Sequence, residues 1–242
     1  MNNFFNILLS QKRNTNSIWE GLLSYWSMDQ VGNNVVFDTK NINHLYKSAT
    51  DSSTGKNGNG MYFTSLQYLS GYTSNVMDFD INQPFSISLW VYGMNNTGVK
   101  VFISKTFGAV GARLGYEFWV NAGRLCFYIF NESNSKTMAT YGNSTQFTST
   151  SNVWRHCVVT YNGTNHTKGI VIYFNGSAIS LYRNGGFGLN SINNNANLNI
   201  GHSSYSDYGA AACTMDEVCF WNRALTASEV SGLYNSSNGL FW

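Results

Sequence analysis

In residues 85–92, Phe85, Ile87, Leu89 and Val91 alternate with Ser86, Ser88, Trp90 and Tyr92. That period of two predicts a strand with one face in a core. Similar runs predict strands over 21–28, 35–37, 61–63, 99–105, 116–120, 125–130, 154–161, 170–174 and 198–201, separated by Asn-, Ser- and Gly-rich turns. Asn175-Gly176, between two apolar pieces, marks a hairpin, because a type I′ turn needs positive φ at both central positions. The stretch 29–53 and the run 185–197 read as loops. Near the end the period changes. Met215, Val218, Phe220 and Trp221 form a last apolar run with Asp216 and Glu217 inside it. Thr226 and Glu229 then have capping-box spacing, and Leu225 and Val230 that of a hydrophobic staple. A short helix is expected, with Gly232 inside it and Asn235 at its end. The pattern predicts an all-β sandwich closed by one C-terminal helix.

Composition narrows what such a sandwich does. Of 242 residues, 11% are charged and 16% aromatic, with a net charge of +2 and no basic stripe. Nucleic-acid binding, which rests on phosphate neutralisation, is not expected. The ring content excludes a disordered chain, and no apolar stretch is long enough to span a membrane. Cys126, Cys157, Cys213 and Cys219 show no zinc-ligand spacing and read as buried thiols. Residues 1–18 read as an arm outside the domain of 19–242. Its apolar patch, Phe4 to Leu9, belongs either to a flexible terminus or to a segment that docks on a partner or a second subunit. Lys12 and Arg13 follow that patch instead of preceding it, the wrong polarity for a secretion signal.

Chemistry-bearing motifs are sparse. The glycines at 55, 58 and 60 lead into a strand and not a helix, so they do not make a phosphate loop. Asp78, Asp80 and Asn82 have the opening spacing of a calcium loop but lack its glycine and distal Glu, and read as a turn. The four histidines form no local metal or triad motif. Asp216 and Glu217, adjacent on a strand, are expected to point to opposite faces and so cannot attack one bond together.

In order along the chain, GLLSYWSMD (21–29), GKNGNGMYF (55–63), FSISLWVY (85–92), FISK (102–105), VWRHCVVTYNG (153–163), IYFNGSAI (172–179), LNIGHS (198–203) and MDEVCFWNRALTASEVSGLY (215–234) together resemble the laminin G-like, concanavalin A-like jelly-roll domains. The resemblance covers about residues 20–235. It implies two curved antiparallel sheets, with the last strand packing against the first. It also implies calcium, held between Asp38, Asn41 and Asn43 of the loop after the first strand and Asp216 or Glu217 of the last. Here the chain departs from the family, since the loop DTKNINH has no glycine. The Glu-x-Asp-x-x-Glu strand of related glucanases is absent, so a non-catalytic domain is expected. Phe107, Arg113, Asn193 to Asn195, Tyr205, Asp207 and Tyr208 are candidate glycan contacts in loops. Trp90, Trp119, Trp154 and Trp221 lie inside strands and are assigned to the core. The expected role is a virion surface protein, a phage head or tail decoration or fibre that binds host glycans, with its arm docked on other virion proteins or its own subunits. The alternative is a bacterial extracellular adhesion or carbohydrate-binding module.

Overall fold

The structure, a computed structural model, describes residues 18–32, 34–64, 67–71, 77–94, 96–109, 111–132, 136–148, 152–204, 209 and 212–242. The N-terminal arm, apart from Ile18, lies outside the described residues, as do Tyr205, Asp207 and Tyr208. In chain order the strands are β1 (Leu22–Trp26), β2 (Val31–Gly32), β3 (Val35–Val36), β4 (Leu45–Lys47), β5 (Asp51–Thr54) and β6 (Asn59–Phe63). Next come β7 (Leu69–Gly71), β8 (Phe85–Tyr92), β9 (Val99–Phe107), β10 (Leu114–Asn121), β11 (Arg124–Asn131) and β12 (Lys136–Gly142). The last six are β13 (Arg155–Tyr161), β14 (Ile170–Phe174), β15 (Ser177–Ala178), β16 (Leu181–Gly185), β17 (Asn199–Ile200) and β18 (Cys213–Trp221), followed by helix α1 (Ala227–Tyr234).

The strands form two antiparallel sheets. One runs β15-β14-β13-β8-β18-β6-β5, with β1 also paired to β18; the other runs β16-β12-β11-β10-β9-β17-β7-β4-β3-β2. The main core lies between them and is ring-rich. Phe85 sits at its centre, stacked on Phe79 at 4.5 Å and touching Tyr116, Phe127 and Tyr161. A second, smaller core covers the other face of the first sheet. There Leu22, Tyr25, Cys219 and Trp221 meet Leu225, Val230 and Leu233 at α1.

The expected closing device is present. Thr226 Oγ1 accepts the Glu229 N–H, and the Glu229 carboxylate takes the Thr226 N–H at 2.8 Å. Leu225 and Val230, the staple pair, are both buried. Replacing Thr226 with Ala is expected to lower the unfolding free energy by about 1 kcal/mol in urea titrations. The last strand pairs with the first, Leu22 opposite Trp221 and Trp26 opposite Val218. Asn175 and Gly176 both have positive φ, 49° and 77°, as the hairpin requires. All four cysteines are free and buried.

Three strand-level expectations change. Besides the expected short strand at 35–36, residues 29–53 contain β2, β4 and most of β5. The strands β12 and β16 extend the second sheet where sequence alternation is weak. Asp216 and Glu217 do not point to opposite faces. Between Asp216 and Cys219 the register against β8 slips, and Glu217 takes φ 54°, so a bulge resets the alternation. Both carboxylates consequently reach Asn57 of the 55–60 turn.

Candidate functional site

On β10, Tyr116, Phe118 and Val120 enter the core, so Glu117 and Trp119 face away from the other sheet. Cross-strand register then builds rows on that outer face. One row runs Trp119–Cys126–Tyr141–Tyr182 over β10, β11, β12 and β16. Tyr141 and Tyr182 lie 5.5 Å apart at 35°, and Tyr182 is 53% exposed. Trp119 meets Tyr128 edge-on at 5.2 Å. Its indole N–H has no partner among the described residues. The neighbouring row runs Ser70–Asn199–Ser104–Glu117–Tyr128 from β7 to β11.

Where that second row reaches β7, β17 and β9, it floors an open cleft of about 610 Å³. Tyr68 and Phe107 line it together with Ser70, Thr106, Asn195, Asn199, Ser203 and Ser204. His202 lines it too, its ring 5.6 Å from that of Tyr68. Beneath the floor sits buried Glu117, close to the hydroxyls of Ser203 and Ser104, the latter donating to Ser204 Oγ at 3.2 Å. Its Oε1 is buried and has no hydrogen-bond partner among the described residues. Burial pushes its carboxyl up from the usual range, against those two hydroxyls and the more distant Arg113. Aromatic faces beside amides and hydroxyls, on a rigid sheet, are suited to a polyhydroxyl ligand that stacks and hydrogen-bonds at once.

A family model described as the concanavalin A-like lectin/glucanases superfamily matches residues 67–231, more than half of the chain. The chain belongs to that superfamily. No curated protein sequence matches it. Among solved structures it is similar to the binding domain of Paraclostridial mosquitocidal protein 1, at 18% identity and a TM-score of 0.70, covering 91% of this chain and 53% of that one. The botulinum neurotoxin serotype G binding domain gives 16% and 0.66, covering 89% and 50%. The botulinum neurotoxin serotype D ligand-binding domain, solved with N-acetylneuraminic acid, gives 13% and 0.61, covering 91% and 52%. The likeness is one of fold, and this chain spans about half the length of each of these domains.

Against this superfamily fold, the sequence-derived candidates separate. Phe107 and Asn195 line the cleft, and Asn193 and Asn194 line the adjoining hollow beside Asp78 and Leu114. Arg113 does not line it. Its guanidinium lies 4.0 Å from the Phe130 ring centre and grips Glu132 through Nε at 2.9 Å. Trp119, assigned to the core, is half-buried on the outer face; Trp221 is core, and Trp90 is buried against His156 and Tyr234. Sequence reading also missed Tyr128, Tyr141, Tyr182 and Glu117. For Glu117 the signal was the alternation through 114–121, which puts it and Trp119 opposite to Phe118.

The residues offered for calcium do not fit an ion as they stand. The Asp38 carboxylate already accepts Ser24 Oγ and the amides of Tyr25, Lys40, Ile42 and Asn43. Asn43 spends its side-chain amide on Ser24 Oγ, and Asn41 donates its N–H to the Asp38 carbonyl. Asp216 accepts the amides of Lys56, Asn57 and Glu217, while Glu217 takes the Tyr25 hydroxyl and the Asn57 side chain. Oxygens surrounded by N–H and O–H donors are arranged for protons, whereas calcium takes six to eight free oxygen ligands. Among the described residues no group of three His, Cys, Asp or Glu side chains is placed to hold a metal. Asp78 and Asp80 act as turn anchors: Asp80 accepts the Ile81 and Ile192 amides, and Asp78 pairs with buried Lys105 at 3.4 Å.

Proposed function

We propose that this domain is a non-catalytic glycan-binding module that uses the outer face of the ten-stranded sheet. The observation that carries the reading is the row Trp119–Cys126–Tyr141–Tyr182, on the same outer face as the amide- and hydroxyl-lined cleft at β9, β17 and β7. Rings held by cross-strand packing present flat apolar faces at little entropic cost, and Asn and Ser side chains both donate and accept. The relative solved with N-acetylneuraminic acid supports sugar recognition by this fold class. On the two rows Glu117 is the one carboxyl group, whereas glycoside hydrolysis takes two that flank the bond.

Glycan-array binding tests the site. The unmodified protein is expected to bind a subset of oligosaccharides. Tyr182→Ala and Tyr141→Ala are expected to weaken that binding by about 10-fold or more, roughly the loss of one good stacking contact, with unchanged melting temperature for the exposed Tyr182. A protein that binds nothing on a broad array, or variants that bind normally, would refute the assignment. Binding is expected to be equal in calcium and in EDTA, because the candidate carboxylates are filled by N–H and O–H donors. A signal lost in EDTA and restored by calcium would contradict that.

The module is displayed, on this reading, at a virion surface, with a bacterial exterior as the alternative. A multi-copy 27 kDa band in purified particles supports the first, and its absence removes it.

A further inference from the structure

Lys105 of β9 lies opposite the core residue Tyr116 in register, so its side chain turns inward, where it is fully buried. Its Nζ stands 3.4 Å from Asp78 Oδ1 and 2.9 Å from the Ala196 carbonyl. It also stands 3.2 Å from the Asn194 carbonyl and 3.5 Å from Asn194 Oδ1. Asp78 Oδ1 in turn accepts the Asn194 N–H at 3.3 Å. An amine, a primary amide and a carboxyl group therefore meet at one buried point, brought there from β9, from the run before β17 and from the run before β8.

An ion pair alone accounts for Lys105 and Asp78. It does not account for the way the Asn194 amide is held. Asn194 Oδ1 accepts the Ala196 N–H at 3.0 Å, and Nδ2 donates to the Ile192 carbonyl at 3.2 Å. Gly115 leaves the room, since a Cβ there would stand 2.7 Å from Nδ2. Burial pushes the Lys105 ammonium down from its ordinary value, against the attraction of Asp78, and so favours the neutral amine, which is the nucleophile. The Ala196 N–H withdraws charge from the amide carbonyl and is placed to receive what develops on Oδ1. Held this close and away from water, a slow condensation becomes an internal reaction.

We propose that Lys105 and Asn194 join in an isopeptide bond, with Asp78 carrying the protons. The Lys105 ammonium gives a proton to the Asp78 carboxylate. The freed Nζ lone pair attacks Asn194 Cγ, and the carbonyl pair moves onto Oδ1. Asp78 hands its proton to Nδ2 and takes one from the newly bonded Nζ. The double bond to Oδ1 re-forms, the Cγ–Nδ2 bond breaks with its pair on nitrogen, and ammonia leaves, collecting the last proton from Asp78. One amide replaces another, nothing is oxidised or reduced, and no co-reactant is used. The bond spans 89 positions and pins the run that carries Asn195, a lining residue of the cleft, to β9. It stands independently of the sugar reading.

Peptide mapping by mass spectrometry of the denatured, trypsin-digested protein tests it. Trypsin does not cut after an acylated lysine, so residues 101–113 are expected uncut at Lys105 and joined to residues 184–223, lighter than the two together by one ammonia. Lys105→Met and Asn194→Ala are expected to give no branched peptide. Asp78→Asn is expected to cut the branched fraction by about 10-fold or more, the least effect of losing a positioned proton carrier, and Asp78→Glu to restore it. The unmodified protein alone decides whether the bond exists, whatever the variants do to folding. Cleavage after Lys105 with no branched peptide overturns the proposal, even if an ammonia is lost elsewhere, as at an Asn-Gly succinimide. A branch to residues 57–100, formed with loss of water, overturns Asn194 as the acceptor in favour of Asp78. A branch formed as fully in Asp78→Asn overturns the role of Asp78.

Discussion

Asp38→Ala is expected to lower the unfolding free energy by about 3 kcal/mol or more, the cost of leaving several buried donors without an acceptor. The residue is 2% exposed, and its two oxygens collect Ser24 Oγ and the amides of Tyr25, Lys40, Ile42 and Asn43. Two of these donors belong to β1 and three to the loop between β3 and β4. The carboxylate thus ties the first strand, in one sheet, to the loop between two strands of the other, and alanine offers no oxygen to replace it. Asp38→Asn keeps one acceptor and turns the other into a donor facing amides, so it is expected to fall between the two. Urea denaturation checks both variants. A loss under 1 kcal/mol for Asp38→Ala would show that water reaches the freed amides.

The second large effect is on pH dependence. Burial, reinforced by the neighbouring Glu217, pushes Asp216 up to about 8, although three backbone amides work against it. Burial likewise pushes Glu217 up to about 7, against the Tyr25 and Asn57 hydrogen bonds. In the folded protein these groups hold protons that the unfolded chain has already released. The folded state is therefore favoured at low pH, and that advantage shrinks as pH rises, until it is gone above about 8. Below the ordinary histidine range an opposing group enters, since burial pushes His156 down to about 3 and an unfolded chain would charge it. Between pH 6.5 and 8 the carboxyls act without that opposition. Stability is expected to fall there by about 1.4 kcal/mol per pH unit for each extra proton held. Asp216→Asn, which cannot ionise, is expected to flatten the slope and to gain stability at pH 8. A melting temperature that is level or rising from pH 6.5 to 8, or a slope unchanged in Asp216→Asn, would disprove the account.

These two sites also show how far residues alone reach. Thr226, Glu229, Leu225 and Val230 were legible because capping and stapling are local, set within five positions of sequence. The pairing of β1 with β18 followed from the order of motifs. The bulge at Glu217 was not legible, because one residue in a left-handed conformation leaves the apolar pattern of Met215, Val218 and Phe220 intact. Trp119 was misassigned for a related reason. A half-buried tryptophan on an outer face and a core tryptophan occupy the same kind of strand, and register with Cys126 and Tyr141 tells them apart. Tyr141 and Tyr182 belong to strands whose partners are about 40 residues apart in sequence, beyond any local signal. The loop candidate Phe107 was found because it was exposed chemistry after a strand; Glu117 was overlooked because nothing in one dimension places it under Ser203.

The strand that is made last stands in the middle of its sheet. β18 has β8 along one edge, and along the other β6 beside its first half and β1 beside its second. Trp221 reaches back 203 positions to the Ile18 carbonyl. During synthesis, then, three strands wait with open edges until residues 213–221 emerge, and the search for their partner spans nearly the whole chain. Contacts of that sequence separation make folding slow, and unpaired edges are where chains stick to one another. Any fragment that stops short of Cys213 retains most of the hydrophobic residues and lacks the strand that joins β1, β6 and β8.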